Sequence, residues 1–269
     1  MPGFNDLGRR AIGPALGHKR LQPAFDAMHQ LALAGRYFGE GNHPLASGER
    51  RVLEFVRDRL GQPITVFDVG ANVGLYAHSV LDVLGEGVDL WCFEPSASAF
   101  TQLRDSFSGL RGVKTRNLGF SDDSRKATLY SPAPASKLSS VHDLSERFQR
   151  TANAETREET IELTTIDAFC AQESIERIGL LKLDVEGHEL PALRGGQRLL
   201  ASHAVDIIQF EFSAANIYSR VFLRDFFQLL VPDFDLYRVL RTSLQPVPVY
   251  RESDEVFKRA TNYVAIARA

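Results

Sequence analysis

Apolar and polar positions along this chain follow two periods in turn. Leu21, Phe25, Met28 and Ala32 recur at helical spacing, with Gly35 as a stop. A second helical run takes Ser47 as its expected N-cap, carries Val52, Val56 and Leu60, and ends at Gly61 and Pro63. From residue 64 onward, short apolar runs alternate with helical ones. Residues 64–69 are almost continuously apolar, the pattern of a strand buried on both faces. A helix through Leu75, Val80 and Leu84 follows, then a strand over 88–93. Next come a helix carrying Ala99, Leu103 and Phe107 and a strand over 113–118. The alternation resumes with a strand at 179–185, a helix at 189–200 and a strand at 205–212. A helix at 221–230 and strands at 234–239 and 263–267 complete it.

Strands alternating with helices predict an α/β fold. The expected core is a doubly wound, mostly parallel sheet with right-handed crossovers and helices on both faces. Residues 46–269 are read as one domain of that kind, and residues 1–45 as a helical extension ahead of it. Residues 131–160 break the rhythm, because Pro132, Pro134, a serine-rich patch and mixed charges show no clean period. A connection of that length usually carries function, and acceptor selection is the role expected of it.

Composition narrows the partners. The 44% hydrophobic content is enough for a sizeable core. Lys and Arg number 31 against 34 Asp and Glu, and no basic run is present, so no nucleic-acid partner is expected. Cys92 and Cys170 have no metal-ligand spacing. No apolar stretch approaches the 18 or more residues of a membrane span, and the N-terminus lacks a signal-like run. A soluble, cytoplasmic protein is therefore expected.

The first strand runs into a helix through Asp68-Val69-Gly70-Ala71-Asn72-Val73-Gly74. In open α/β sheets ligands bind beyond the carboxyl ends of the strands, and glycines let a backbone pass close to them. The second strand ends at Phe93-Glu94-Pro95, which puts an acid 94 − 74 = 20 residues after the last glycine. A carboxylate there typically accepts ribose hydroxyls. The turn reads Gly-x-x-x-Gly and lacks the three-glycine pyrophosphate grip, which argues against a nicotinamide dehydrogenase. A nucleoside without a pyrophosphate is expected, and S-adenosylmethionine is one.

These residues resemble the FkbM-type methyltransferases over roughly residue 51 to the C-terminus. The likeness rests on the 68–74 turn, Phe93-Glu94-Pro95, and Asn117-Leu118-Gly119-Phe120-Ser121-Asp122. It continues in Leu180-Leu181-Lys182-Leu183-Asp184-Val185-Glu186-Gly187-His188-Glu189, Phe210-Glu211-Phe212 and Asn262-Tyr263-Val264-Ala265. The resemblance implies a class I (Rossmann-like) methyltransferase with a seven-stranded sheet, its last strand reversed, and an S-adenosylmethionine donor. It also implies a hydroxyl acceptor on a sugar, glycolipid, polyketide or similar small metabolite. Asp68, Gly70, Asn72 and Gly74 would line the methionine side of the donor, Glu94 would hold the ribose, and Ser121 or Asp122 would lie by the adenine. Leu138-Ser139-Ser140-Val141 would match the family's serine motif. Residues 1–45 lie outside the match and would serve as a lid, a dimerisation arm or packing.

An alcohol needs its proton removed as it attacks, so a base or metal is expected near the donor methyl. His188 suits a general base by its ordinary pKa. Asp184 and Glu211, at neighbouring strand ends, are the other candidates. With Glu186 they equally fit a hard divalent cation such as magnesium. Asp184 also fits a helix cap, and Glu189 fits the favoured acid of a helix's first turn. Two rival functions share the fold. One is a methyltransferase acting on protein or nucleic acid, although the Pro-Pro motif of amino-methylating DNA enzymes is absent. The other is a non-catalytic nucleoside-binding module.

Overall fold

The computed structural model describes Gly13 and residues 17–41 and 47–268. The helix Gln22–Gly35 stands at the front, with Leu33 as its single buried residue. The chain behind it docks on the sheet: Phe38 is fully buried, and the Gly41 N–H donates to the Ala260 carbonyl at 2.8 Å. The next helix, Glu49–Arg59, takes Gly48 in left-handed conformation as its N-cap in place of the expected Ser47. Ser47 still serves it, since its hydroxyl accepts the Glu49 N–H at 3.3 Å.

Strand β1 (Ile64–Val69) and β2 (Val88–Phe93) follow, with helix Leu75–Leu84 between them and helix Ala97–Ser106 after. Next come β3 (Val113–Arg116), β4 (Gly119–Phe120) and β5 (Arg125–Ser131), then helix Ser145–Ala152 and β6 (Arg157–Thr164). Helix Ile166–Glu173 leads to β7 (Ile178–Leu183), and two short helices, Glu189–Arg194 and Gln197–Ala201, lead to β8 (Val205–Phe212). Helices Ala215–Ser219 and Leu223–Leu230 precede β9 (Phe234–Val239), β10 (Leu244–Pro246) and β11 (Thr261–Ala267).

The main sheet has the order β10-β9-β11-β8-β7-β1-β2-β3. It therefore has eight strands where seven were expected, because the short β10 extends one edge. The strands from β3 to β8 pair in parallel, and β11 is antiparallel to both β8 and β9, which is the expected reversed strand. Successive strand residues feed opposite cores. Val66, Leu180 and Ile207 join one cluster with Val52, Val56 and Val80, while Phe67, Leu181 and Ile208 join the other with Phe169 and Phe226. Burial on both faces is why these strands read as unbroken apolar runs.

The 131–160 segment departs from the expected irregular loop. Strand β6 pairs antiparallel with β5 and parallel with β4 in a second, three-stranded sheet. Helix 145–152 is held by the fully buried Leu144 and Phe148, too few apolar positions to register as a period. Among the described residues no helix is long and apolar enough to cross a membrane.

Candidate active site

After β1 the chain turns through Gly70, Asn72 and Gly74, all at positive φ. A Cβ on Gly70 would collide with the Asp184 carbonyl, and one on Gly74 would collide with the Phe107 ring. The absence of a Cβ at Gly70 thus leaves room for the neighbouring strand end. Gly70 and Asn72 line a cavity of about 530 Å³ at the carboxyl ends of β2, β1, β7 and β8. Asp68 and Gly74 do not line it. Asp68 lies beneath, fully buried, and one of its oxygens has no hydrogen-bond partner.

Glu94 occupies the β2 end of the cavity, almost wholly buried. Its two oxygens accept the N–H groups of Asn72 and Ser96, at 2.9 and 2.8 Å. Burial pushes its carboxyl up to about 7 against those two bonds, which favour the anion. Each oxygen keeps a lone pair free for an outside donor. Beside it Pro95, Phe120, Leu129, Ile161 and Leu163 form an apolar wall. Three of those residues come from β5 and β6, so the small sheet is what builds it. The serine segment closes over the cavity. Asn72 Nδ2 donates to the carbonyls of Ala135 and Ser136 at 3.2 and 3.4 Å, and Ser140 Oγ donates to the Glu186 carbonyl at 2.7 Å.

A pH dependence follows from Glu94. Were Glu94 to accept ribose hydroxyls, as the resemblance implies, those charge-assisted bonds would need the anion, so nucleoside affinity would be expected to rise as pH climbs through about 7 and to level off above it. Titration calorimetry with S-adenosylhomocysteine across pH 5.5–8.5 checks this. A flat profile in the wild type would remove Glu94 from the site.

The other end of the cavity is charged. Lys182 is buried in β7, and its ammonium reaches Asp68 Oδ1 at 3.3 Å and Asp184 Oδ2 at 3.4 Å. The ammonium also lies 4.7 Å from the Tyr76 ring centroid. The surrounding carboxylates Asp68, Asp184 and Glu49 hold it charged, well above its ordinary value, in spite of burial. Glu186 sits at positive φ just after the strand and accepts Arg147 Nη1 at 3.2 Å. Burial and the nearby Asp184 push it up to about 7. Glu211 is raised further in the same direction by burial and by Asp184, Glu186 and Glu189. Glu189 Oε1 accepts the N–H groups of Val185 and Gly187 at 3.0 and 3.2 Å, so this acid shapes the turn that carries Glu186.

Of the residues expected from sequence, Glu94, Gly70, Asn72, Asp184, Glu186, His188 and Glu211 meet at this one cavity. Ser121 and Asp122 do not reach its wall. Ser121 Oγ donates to Asp122 Oδ1 at 2.9 Å and bonds His188 Nε2 at 3.0 Å, behind Phe120. His188 Nδ1 is bonded to His142 Nε2 at 3.2 Å, so both its ring nitrogens are taken. Burial, with His142 and Arg125 nearby, lowers His188 to about 3. Among the described residues no three His, Cys, Asp or Glu side chains are disposed to hold a metal ion, and the Asp184–Glu186–Glu211 trio is not gathered as a coordination set. Sequence reasoning passed over Lys182, Glu49, Tyr76 and Asn262, which all line the cavity. A lysine inside Leu-Leu-Lys-Leu was a readable signal, since a charge in a doubly buried strand needs a partner.

The chain is 26% identical over 180 residues to the 2-O-methyltransferase NoeI of Sinorhizobium fredii, covering 64% of this chain and 72% of that one. It is 24% identical over 156 residues to the hexuronic acid methyltransferase AglP of Haloferax volcanii, covering 58% of this chain and 59% of that one. A solved SAM-dependent O-methyltransferase from Thermotoga maritima superposes with a TM-score of 0.41 at 13% identity, covering 82% of this chain and 64% of that one. The model of the methyltransferase FkbM domain matches residues 68–239, from the buried aspartate of β1 to the end of β9. That span is well over half of the chain and takes in most of the cavity wall, and the protein belongs to the FkbM methyltransferase family.

Proposed function

We propose that this enzyme transfers the methyl group of S-adenosylmethionine to a hydroxyl of a sugar or glycolipid, with Asp184 taking the proton. The observation that carries it is the two-ended cavity. A buried carboxylate with free lone pairs stands beside an apolar wall at one end, and an acidic cluster around one lysine stands at the other. Glu94 would hold the ribose diol, the Phe120–Leu129–Ile161–Leu163 wall would hold the adenine, and the Gly70–Asn72 backbone would run beneath. When bound, the donor supplies an electrophilic methyl on a cationic sulfur. The carboxylates of the far end complement that cation. The sugar acceptor is supported by the activities in the names of the two relatives, a 2-O-methyltransferase and a hexuronic acid methyltransferase.

The choice of base follows from what each group is already doing. His188 has both nitrogens bonded and is held neutral by burial, so it accepts a further proton poorly. Burial and the nearby Asp184, Glu186 and Glu189 raise the Glu211 carboxyl well above its ordinary value, which disfavours the anion a base needs. Asp184 stands at the end of β7, with 38% of its side chain exposed and one oxygen anchored by Lys182. Its other oxygen is the acceptor for the hydroxyl proton. No divalent cation is needed for this route.

A donor-radiolabel transfer assay against a panel of sugars and glycolipids tests the assignment. Label is expected to move to a sugar hydroxyl and to keep moving in the presence of a chelator. Asp184→Asn is expected to retain S-adenosylhomocysteine affinity while losing about 10²–10⁴-fold in transfer. Transfer that survives Asp184→Asn, or stops on chelation and returns with magnesium, overturns the base.

A further inference from the structure

One wall of the cavity comes from outside the matched domain. Gly41, Ser47 and Glu49 precede residue 68, and Asn262 follows residue 239, yet all four line the same space as Glu94 and Asp184. Glu49 begins its helix there. Its Oε2 accepts the Ser47 hydroxyl at 3.1 Å, and its Oε1 accepts the Gln209 amide at 3.4 Å. Gln209 in turn accepts the Tyr76 hydroxyl at 3.4 Å, and the Tyr76 ring faces the Lys182 ammonium. Glu49 is thereby held against the β7 and β8 ends by a chain of side chains, at the side of the cavity away from Glu94.

Charge there is out of balance. Lys182 answers Asp68, Asp184 and Glu49, three carboxylates to one ammonium. Burial drives Glu49 toward its neutral form, and Asp184 and Asp68 add to that against Lys182. An anion in such a setting gains when a further cation is placed beside it. The donor carries one at its amino-acid end, opposite the ribose that Glu94 would hold.

We propose that Glu49 binds the α-ammonium of the donor's methionine moiety, so that the helix ahead of the matched domain completes the donor site. This rests on the donor assignment made above.

Three ligands separate the two ideas by titration calorimetry: S-adenosylhomocysteine, its analogue lacking the α-amino group, and 5′-methylthioadenosine, which lacks the amino-acid part. The wild type is expected to bind S-adenosylhomocysteine about ten- to a hundredfold more tightly than the deaminated analogue. In Glu49→Gln that ratio should shrink to about threefold or less, while affinity for 5′-methylthioadenosine stays as in the wild type. Glu49→Asp, which keeps the charge but withdraws it by one methylene, should give a ratio between the two and serves if the glutamine variant does not fold. A wild-type ratio near one overturns the proposal. So does a ratio unchanged in the variants, or an equal loss for 5′-methylthioadenosine. Wild-type binding of 5′-methylthioadenosine alongside any of these failures leaves the donor site standing and removes only Glu49. Failure of the wild type to bind all three ligands removes both.

Discussion

Lys182→Met is expected to lower folding stability by about 3–5 kcal/mol near neutral pH, the usual cost of leaving one member of a buried ion pair alone. Lys182 and Asp68 are both buried in adjacent strands, and the second Asp68 oxygen already lacks a partner. Methionine matches the length of the aliphatic stem, so the loss would report charge more than packing. The pH dependence gives a second check. The Asp68 carboxyl already lies above its ordinary value because of burial, and Lys182 is what opposes that rise. Without the ammonium it rises further. A carboxyl whose folded pKa exceeds its unfolded value of about 3.9 stabilises below that value and loses stability as pH climbs. The deficit of the variant is therefore expected to widen from about pH 4 to pH 8. Urea denaturation of both proteins across that range measures it, and a deficit that is constant or narrows with pH would show that Lys182 is not the partner of Asp68.

Glu94→Ala is expected to weaken S-adenosylhomocysteine binding by about tenfold to a hundredfold, since hydrogen bonds to charged groups contribute roughly 1.5–3 kcal/mol. Two losses combine. In the proposed donor pose the ribose hydroxyls would lose their acceptor, and the N–H groups of Asn72 and Ser96 would lose theirs, which would loosen the turn. Glu94→Gln separates them, because an amide oxygen can keep one backbone bond but carries no charge. Its affinity should fall between the wild type and the alanine variant, and its pH profile should be flat. Equal affinity of all three proteins, with folding intact, would place the nucleoside elsewhere.

The layout of the fold was legible along the chain because each strand of the parallel sheet is buried on both faces. Val66 and Phe67, or Ile207 and Ile208, feed opposite cores, and only unbroken apolar runs can do that. The Glu94 position was legible for a related reason, since an acid that ends such a run stands at the sheet's carboxyl edge. The small sheet was not. Strands β5 and β6 present one buried face and one charged one, and only Leu129, Ile161 and Leu163 mark it, a weak alternation amid Glu158, Glu159 and Glu162. The roles of individual side chains were beyond reach in another way. His188 has the residue type of a general base, yet its place behind Ser121 and beside His142 takes up both nitrogens. Gly70 leaves room for the Asp184 carbonyl, a contact across 114 positions of sequence that no local motif shows. Glu49 carried no motif at all. Local periodicity and strand-end chemistry are set by neighbours in the chain, so the sequence alone determined the doubly wound sheet, the turn after β1 and the acid at the end of β2. Burial, charge balance and hydrogen-bond occupancy are set by residues far apart in the chain. Only the tertiary structure could decide that Lys182 stays charged, that His188 stays neutral and that the wall of the cavity begins before the matched domain does.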